Sequence, residues 1–189
     1  MANFFDTNKE KIIPLVPIRE GVIFPHTETV LSIGRPKSMA AIEAAYKNDQ
    51  LVAFFSQRKT RTINPDKEDL YQIGTLARVE RLLYTGKSGM NAWIKGLRRI
   101  KLDKIESKDP FILSKINEIP EVIEESSEIK ILTKSVMESL QQTINLGKSV
   151  DFMTITKLME GSAAHELADQ VGYVLNLSTG EKQKILETL

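Results

Sequence analysis

The sequence predicts an α+β protein in which a β-rich part, a small and partly closed β-barrel with one inserted helix, precedes a part made only of helices. Two observations lead to this fold class. Hydrophobic residues repeat with the period of a strand up to about residue 117, and with that of a helix from about Pro120 onward. Residues 1–117 hold 20 Lys and Arg against 13 Asp and Glu, whereas residues 118–189 hold 6 against 12. We therefore expect a β-rich domain over residues 1–118 and a helical subdomain over residues 119–189.

Extended segments and one helix make up the first part. Residues 11–20, KIIPLVPIRE, contain two prolines and predict an edge strand, because proline cannot donate to a ladder. Residues 21–34 predict a second extended segment that bends at Pro25. Residues 36–48, PKSMAAIEAAYKN, predict a helix, and residues 51–57, LVAFFSQ, predict a buried strand. The inner face of the helix is expected to carry Met39, Ile42 and Tyr46.

A long hairpin follows. Residues 74–84 and 90–102 predict its two strands, and residues 85–89 predict its tip. Alternate residues of the second strand are apolar and are expected to face the core. These residues are Met90, Ala92, Ile94, Ile100 and Leu102. Arg98 shares their parity, which indicates either a β-bulge or the end of the barrel.

Three helices are predicted beyond residue 118. The apolar stripe of the first consists of Ile129, Leu132, Val136, Leu140 and Ile144. The second begins after Ser162, a suitable N-cap, and its stripe consists of Ala164, Leu167, Ala168, Val171, Val174 and Leu175. Ser178 and Glu181 predict a capping box for the third. Because the pattern of that helix is still running at Leu189, we expect the helical subdomain to be truncated at its C-terminal end.

Residues 84–89, YTGKSG, contain the Gly-Lys-Ser with which a phosphate-binding P-loop ends. The complete motif needs a further glycine five residues before Gly86, where this chain has Arg81, and it joins a strand to a helix. We therefore expect no nucleotide binding at this hairpin tip. The chain also lacks cysteine, the G-x-S-x-G elbow and the H-E-x-x-H motif. These features predict a chain without catalytic residues, metal or cofactor of its own.

The composition, with 41% hydrophobic and 27% charged residues, is typical of a soluble globular protein. No apolar run approaches the ~18 residues of a membrane span, and the first residues do not form a secretory signal. We therefore expect a cytoplasmic location and no membrane partner. The two histidines, His26 and His165, are too few for a histidine-rich metal site. We expect His26 to be a bend residue and His165 to be solvated on the surface.

Several sequence blocks occur in a distinctive order. Residues 14–19, PLVPIR, lead to VIFP at 22–25 and to GRPKS at 34–38. DLYQIGTLARV, KGLRRI and DPF follow, and AAHELADQVGYVLNLSTGEKQKILETL closes the chain. Over nearly the whole chain this order resembles the N-terminal region of bacterial Lon proteases. His26 departs from the pattern, in which many members have glycine after Phe-Pro.

The resemblance implies a PUA-like N-terminal domain followed by the start of a helical region. It also implies a larger parent protein, an ATP-dependent serine endopeptidase that uses ATP and Mg²⁺ and forms a homo-oligomer, expected to be a hexameric ring. The expected role of this segment is recognition of unfolded or misfolded protein, together with assembly. Two alternatives stay open: a PUA-like nucleic-acid-binding module, and a stand-alone protein built from this domain.

A module that handles many unfolded proteins must sense exposed apolar side chains, the feature that such chains share. The candidates for this contact are Phe24, Pro25, Met90 and Trp93. Arg35 and Lys37, at the start of the first helix, are candidates for contact with a neighbouring subunit or a substrate. For Trp93 the alternative, which the high average burial of tryptophan favours, is that the polar loop over residues 58–72 covers it as a lid.

Overall fold

The computed structural model describes residues 11–86, 89–123, 126–145 and 163–188. The strands are β1 Lys11–Ile18, β2 Glu28–Ile33, β3 Leu51–Ser56, β4 Ile73–Tyr84, β5 Met90–Ser107 and β6 Ile112–Glu118. The α-helices are α1 Pro36–Lys47, α2 Ser127–Asn145, α3 Ala164–Val174 and α4 Thr179–Glu187. A short 3₁₀-helix lies at Lys67–Asp69. Strands with one inserted helix, followed by helices, confirm the predicted α+β class.

The six strands form one mixed sheet in the order β2-β5-β4-β3-β1-β6. β5 is 18 residues long. Residues 90–95 of β5 pair with β2, residues 90–101 pair with β4, and residues 100–107 pair with β6. Because β6 pairs with β5 as well as with β1, the sheet is partly closed, as predicted. β2 remains a free edge, and the sheet is therefore not a regular barrel. The β1–β3 pair is parallel, and the other pairings among these strands are antiparallel.

β3 is buried on both of its faces. Val52 and Phe54 lie in a cluster with Ile42 of α1, whereas Ala53 and Phe55 point the other way into a second cluster. A strand covered on both sides needs no polar alternation. This explains the continuous apolar run that predicted a buried strand.

β1 is not the edge strand that its prolines predicted. Its residues 11–15 pair with β6 and its residues 15–18 pair with β3, so that only Leu15 has a partner on both sides. Pro14 lies in the half that faces β6 alone, and Pro17 in the half that faces β3 alone. Each proline therefore has one side without a ladder, where its missing N–H costs nothing. The edge of the sheet is β2.

Helix α1 begins at Pro36, a favoured residue for the first helical position because its φ is already that of a helix. Its buried face consists of Ser38, Ala41, Ile42 and Ala45. Of the predicted inner residues only Ile42 is fully buried, and Tyr46 is exposed. The buried face of α1 is therefore made mostly of small side chains, and the large Tyr46 side chain lies outside it.

The predicted inner face of β5 is confirmed, since all five apolar residues are buried. The register then shifts: Leu76 pairs with Arg98, but Ala77 pairs with Gly96. This β-bulge turns Arg98 to the exposed side, which decides between the two alternatives for that residue. Gly96 is required there because an added Cβ would lie 2.0 Å from the carbonyl oxygen of Phe24.

The helices differ in how closely they pack against the sheet. α2 contacts α3, and none of the α2 side chains that the structure describes belongs to the buried clusters. Of its predicted stripe, Ile129 and Leu140 are half-buried and Leu132 and Val136 are exposed, whereas the Ile144 side chain lies outside the described ones. In contrast, Leu186 of α4 forms a third cluster with Val22 and Phe24 of the bend that precedes β2. The last helix is thus part of the core.

The predicted stripe of α3 is partly wrong. Leu167 is buried, but so are Asp169, Gln170 and Gly172, while Ala168 is exposed. The reason is that this face of α3 lies against Arg99 of β5, which binds Asp169, and against the ring of Phe24, which closely approaches Gly172. Ala163 occupies the N-cap, and the predicted cap Ser162 lies outside the described residues.

The capping box of α4 is confirmed. The Ser178 hydroxyl accepts from the Glu181 backbone N–H at 3.4 Å, and the Glu181 carboxylate accepts from the Ser178 backbone N–H at 2.9 Å. Within the described residues, no helix combines the length and the apolar character needed to cross a bilayer.

Candidate functional site

β2 leaves one side of its backbone open. It pairs with β5 from Glu28 to Ile33, and no described strand pairs with its other side. Near its start, the Tyr173 hydroxyl donates to Thr29 Oγ1 at 3.0 Å, which ties α3 to this strand. An unpaired edge offers N–H and C=O groups to any extended backbone that lies alongside.

An apolar surface lies beside this edge. Val30 pairs with Trp93 on β5, and Trp93 pairs with Arg81 on β4, so the three side chains share the outer face. Val30 is 47% exposed, Trp93 37% and the neighbouring Leu83 54%. The Arg81 guanidinium lies 6.0 Å from the centre of the Trp93 ring. We call Val30, Leu83 and Trp93, with Arg81, the β2 patch.

The structure separates the four residues predicted to contact substrate. Phe24, Pro25 and Met90 are buried, Phe24 with 0% exposure. Phe24 packs on Leu186, and Met90 faces the cluster beneath α1. Only Trp93 presents side-chain surface.

The predicted lid over Trp93 is wrong. The loop over residues 58–72 lies at the far end of β5, where the Lys67 ammonium donates to the Asp103 carbonyl. Arg58 donates to the Leu70 carbonyl at 3.1 Å and closes the loop on itself. The loop is thereby kept away from the half of β5 that carries Trp93.

Arg35 and Lys37 make contacts within the chain. The Arg35 guanidinium donates to the carbonyl of Pro17 and, at 3.0 Å, to Gln57 Oε1. Burial lowers the pKa of Arg35, and the nearby charge of Arg19 lowers it further. Lys37 donates to the Lys108 carbonyl at 2.6 Å. Arg35 therefore joins the start of α1 to the open side of β1.

The most buried ion pair among the described residues was not predicted from the sequence. Arg99 of β5 donates through Nη1 and Nη2 to the two carboxylate oxygens of Asp169, at 3.0 and 2.5 Å. Its Nε donates to the Leu186 carbonyl at 2.9 Å. Asp169 is 0% exposed; burial raises the pKa of its carboxyl, and Arg99 opposes that effect. Arg99 thus holds α3 and α4 against β5.

A second polar cluster lies next to this ion pair. His26 Nε2 is 2.8 Å from Glu121 Oε1, and His165 Nε2 is 3.7 Å from Glu121 Oε2. The rings of His26 and His165 are edge to face, with centres 5.5 Å apart. The prediction for His165 is wrong, because only 24% of its side chain is exposed. The prediction for His26 is confirmed, since it has φ of 56° at the bend.

The architecture is that of the N-terminal domains of Lon proteases. It matches the structure of the N-terminal domain of Mycobacterium avium complex Lon protease with a TM-score of 0.72, at 22% identity over 95% of this chain and 91% of that one. It also matches a Lon N-terminal domain protein from Xanthomonas campestris with a TM-score of 0.65, at 15% identity over 94% and 90% of the two chains. At these identities the likeness establishes the fold.

Sequence similarity establishes the family. Residues 12–189 match the profile of the ATP-dependent protease La (LON) substrate-binding domain, and the chain belongs to that family. It is 33% identical over 184 residues to the Lon protease of Aquifex aeolicus, and 31% identical over 179 residues to that of Desulforamulus reducens. These alignments cover 94% and 95% of this chain, but only 23% and 22% of the relatives. The chain thus spans less than a quarter of the curated relatives' length.

Proposed function

We propose that this chain is the substrate-recognition and assembly module of a Lon-type ATP-dependent serine protease, and that it binds unfolded polypeptide without catalysis of its own. Membership of the substrate-binding domain family supports the first statement. The whole protease, its ATP and Mg²⁺, its hexameric ring and its cytoplasmic location belong to the same proposal, on the strength of relatives that are named Lon protease.

The open edge of β2 beside an exposed tryptophan is the observation that carries the binding role. An extended polypeptide added to β2 would form main-chain hydrogen bonds whatever its sequence. Its alternate side chains would lie on the outer face of the sheet, where Val30 and Trp93 accept apolar groups. A site of this kind suits a module that must bind many different unfolded chains.

The expected affinity of one copy is low. The contact surface is small, and a flexible chain loses conformational freedom when it binds, so we expect a Kd on the order of micromolar or weaker. Several copies in a ring would strengthen binding through avidity, without any new contact. Lys37, which is half-exposed at the start of α1, remains our candidate for a contact between subunits, whereas Arg35 is engaged within the chain.

A binding titration tests this function. The probe is a reduced, carboxymethylated protein with a fluorescent label, compared with the same protein in its native form. We expect Val30→Glu and Trp93→Ala to weaken binding by about tenfold, as for residues at the centre of an interface. The matched control is Ile63→Glu, which places the same charge at an exposed apolar residue of the loop over residues 58–72 and should change little.

Salt dependence separates this function from nucleic-acid binding. Apolar and main-chain contacts change little between low and moderate salt, whereas phosphate contacts weaken steeply. Lys95, the next outward-facing residue along β5 from Trp93, is already paired with Glu28 at 3.9 Å. Equal affinity for native and unfolded protein, or RNA binding that fades with salt, would contradict the proposal and favour the nucleic-acid alternative.

A further inference from the structure

Three side chains from distant parts of the sequence converge at one point. His26 comes from the bend before β2, Glu121 follows β6, and His165 lies in the first turn of α3. One ligand atom from each lies within 4.8 Å of the other two. Both imidazoles direct Nε2 toward the same carboxylate, at 2.8 and 3.7 Å. About three quarters of each of the three side chains is buried.

The backbone holds these side chains in place. His26 has φ of 56°, in the left-handed region that few residues other than glycine adopt and that histidine adopts more readily than most. Its N–H donates to the Gly96 carbonyl at 3.1 Å, which ties the bend to the bulge of β5. On α3, Asp169 lies one turn after His165 and therefore on the same face. The Arg99–Asp169 ion pair consequently turns His165 toward His26.

We propose that His26, Glu121 and His165 bind a divalent transition-metal ion, with Zn²⁺ as the best match. Two imidazole nitrogens and one carboxylate oxygen form a three-ligand set of the kind that Zn²⁺ uses when it keeps a fourth position for water or another ligand. Ca²⁺ and Mg²⁺ prefer sets made of oxygen atoms and fit poorly. This site extends beyond the polypeptide-binding function and does not depend on it.

The distances suit this metal after a small adjustment. With metal–ligand bonds of ~2.0–2.2 Å, ligand atoms around Zn²⁺ stand roughly 3–4 Å apart. The His165–Glu121 distance of 3.7 Å already falls in that range. Side-chain rotations that move the ligand atoms by about an ångström would bring the other ligand–ligand distances into it. On its other side, His26 Nδ1 is 3.8 Å from Glu166 Oε1. A carboxylate there can orient the ring, as second carboxylates do for metal-bound histidines.

The bound ion would join the sheet to the helical subdomain. His26 belongs to the β-rich part, and His165 to a helix 139 residues further along the chain. A metal between them stabilises the packing of α3 onto the bend, so that the free energy of unfolding rises with metal concentration. Metal availability would then regulate how firmly the helices are attached.

Imidazole NMR of the full 189-residue chain, without a histidine tag, tests the site. The chain contains only two histidines, so its spectrum has two sets of imidazole signals, one for each proposed histidine ligand. On titration with Zn²⁺ we expect both sets to shift together and to saturate at one ion per chain. The Glu121→Gln and His165→Asn variants should each weaken Zn²⁺ binding by about 100-fold, whereas Glu20→Gln, an exposed carboxylate elsewhere, should leave it unchanged.

Thermal unfolding and Co²⁺ spectra complete the test. Zn²⁺ should raise the Tm of the unmodified chain and of Glu20→Gln, but not that of Glu121→Gln, a substitution that keeps the side-chain volume. Co²⁺ should give the visible bands of a low-coordinate site. The proposal is overturned if only one imidazole shifts, if more than one ion binds with equal affinity, or if Glu121→Gln binds Zn²⁺ as tightly as the unmodified chain. Any of these results would identify the cluster as a hydrogen-bonded contact alone.

Discussion

Arg99 shows how one side chain can decide the position of two helices. It is 12% exposed, it faces the fully buried Asp169, and it also donates to the Leu186 carbonyl. A buried carboxylate without its partner is strongly destabilising, whereas a pair replaced by apolar groups often is not. Replacing Arg99 alone should therefore destabilise the fold more than replacing Arg99 and Asp169 together by apolar residues.

Replacing Arg99 with methionine should lower the free energy of unfolding by about 3 kcal/mol or more, because Asp169 would keep a buried charge without a partner. Urea unfolding followed by Trp93 fluorescence measures this loss. Arg98→Met is the matched control, since Arg98 is exposed and its removal should cost under ~1 kcal/mol. The double variant Arg99→Met with Asp169→Leu should recover most of the stability. A double variant no more stable than Arg99→Met would contradict this account.

Glu118 makes the stability of the sheet depend on pH. It accepts from Lys11 of β1 at 2.6 Å and from Arg98 of β5 at 2.8 Å. Burial acts to raise the pKa of Glu118, but the hydrogen bonds and charges of these two residues outweigh it and lower the pKa. A carboxyl with a lowered folded-state pKa contributes stability above its unfolded pKa, and this contribution disappears as the pH falls through the folded value.

The Glu118→Gln variant should therefore be less stable than the unmodified chain at pH 7, by about 0.5–1 kcal/mol after screening by solvent. The difference should shrink to zero once the pH lies below the lowered pKa. Urea midpoints measured from pH 7 downward test this, with Glu20→Gln as the control. A difference that is constant over the whole pH range would show that Glu118 acts through packing rather than charge.

Local sequence patterns predicted the helices and strands better than they predicted the surroundings of individual side chains. The alternation on β5, the position of α1 and the capping box at Ser178 follow from neighbours in the sequence, and all three are confirmed. The burial of Asp169 and His165 could not be predicted, because Arg99 is 70 residues away from Asp169, and Glu121 and His26, the partners of His165, are also distant in the sequence. The edge position of β2 was missed for the same reason, since strand order depends on distant pairing.

Gly96 provides a test of the β5 bulge. An added Cβ would lie 2.0 Å from the Phe24 carbonyl oxygen and 3.2 Å from the Pro25 Cα, and both are backbone atoms that cannot move aside cheaply. We expect Gly96→Ala to cost about 2–3 kcal/mol, as measured by urea unfolding. Gly180→Ala is the control, because the nearest atom to its added Cβ is the Tyr71 hydroxyl at 3.8 Å. Equal stability of the two variants would be incompatible with the close approach of bend and bulge.

At the scale of the whole molecule, the sheet and the last two helices share contacts. Leu186 lies in one cluster with Val22 and Phe24, and Arg99 binds both helices. The division of the chain after residue 118 therefore remains a proposal about sequence organisation. The contacts indicate that α3 and α4 unfold together with the sheet.

A single cooperative transition is the expected result of urea unfolding. Trp93 fluorescence reports on β2 and β5, and far-ultraviolet circular dichroism reports mainly on the helices. The two curves should coincide in the unmodified chain, since cooperative folding joins the two parts. Phe24→Ala, which empties the shared cluster, should shift both curves by about 3–5 kcal/mol. Helical signal lost at a much lower urea concentration than the Trp93 signal would establish two independent domains.

The place of β1 in the sheet has a consequence for synthesis on the ribosome. β1 is the first described strand to be made, yet its residues 11–15 pair with β6, whose last residue is Glu118. At ~5–20 residues per second, the ~60 residues between the end of β3 and the end of β6 take on the order of several seconds to translate. During that interval Ile13 and Leu15 have no strand to close the barrel around them. A nascent chain is therefore expected to need chaperone protection until residue 118 has left the exit tunnel.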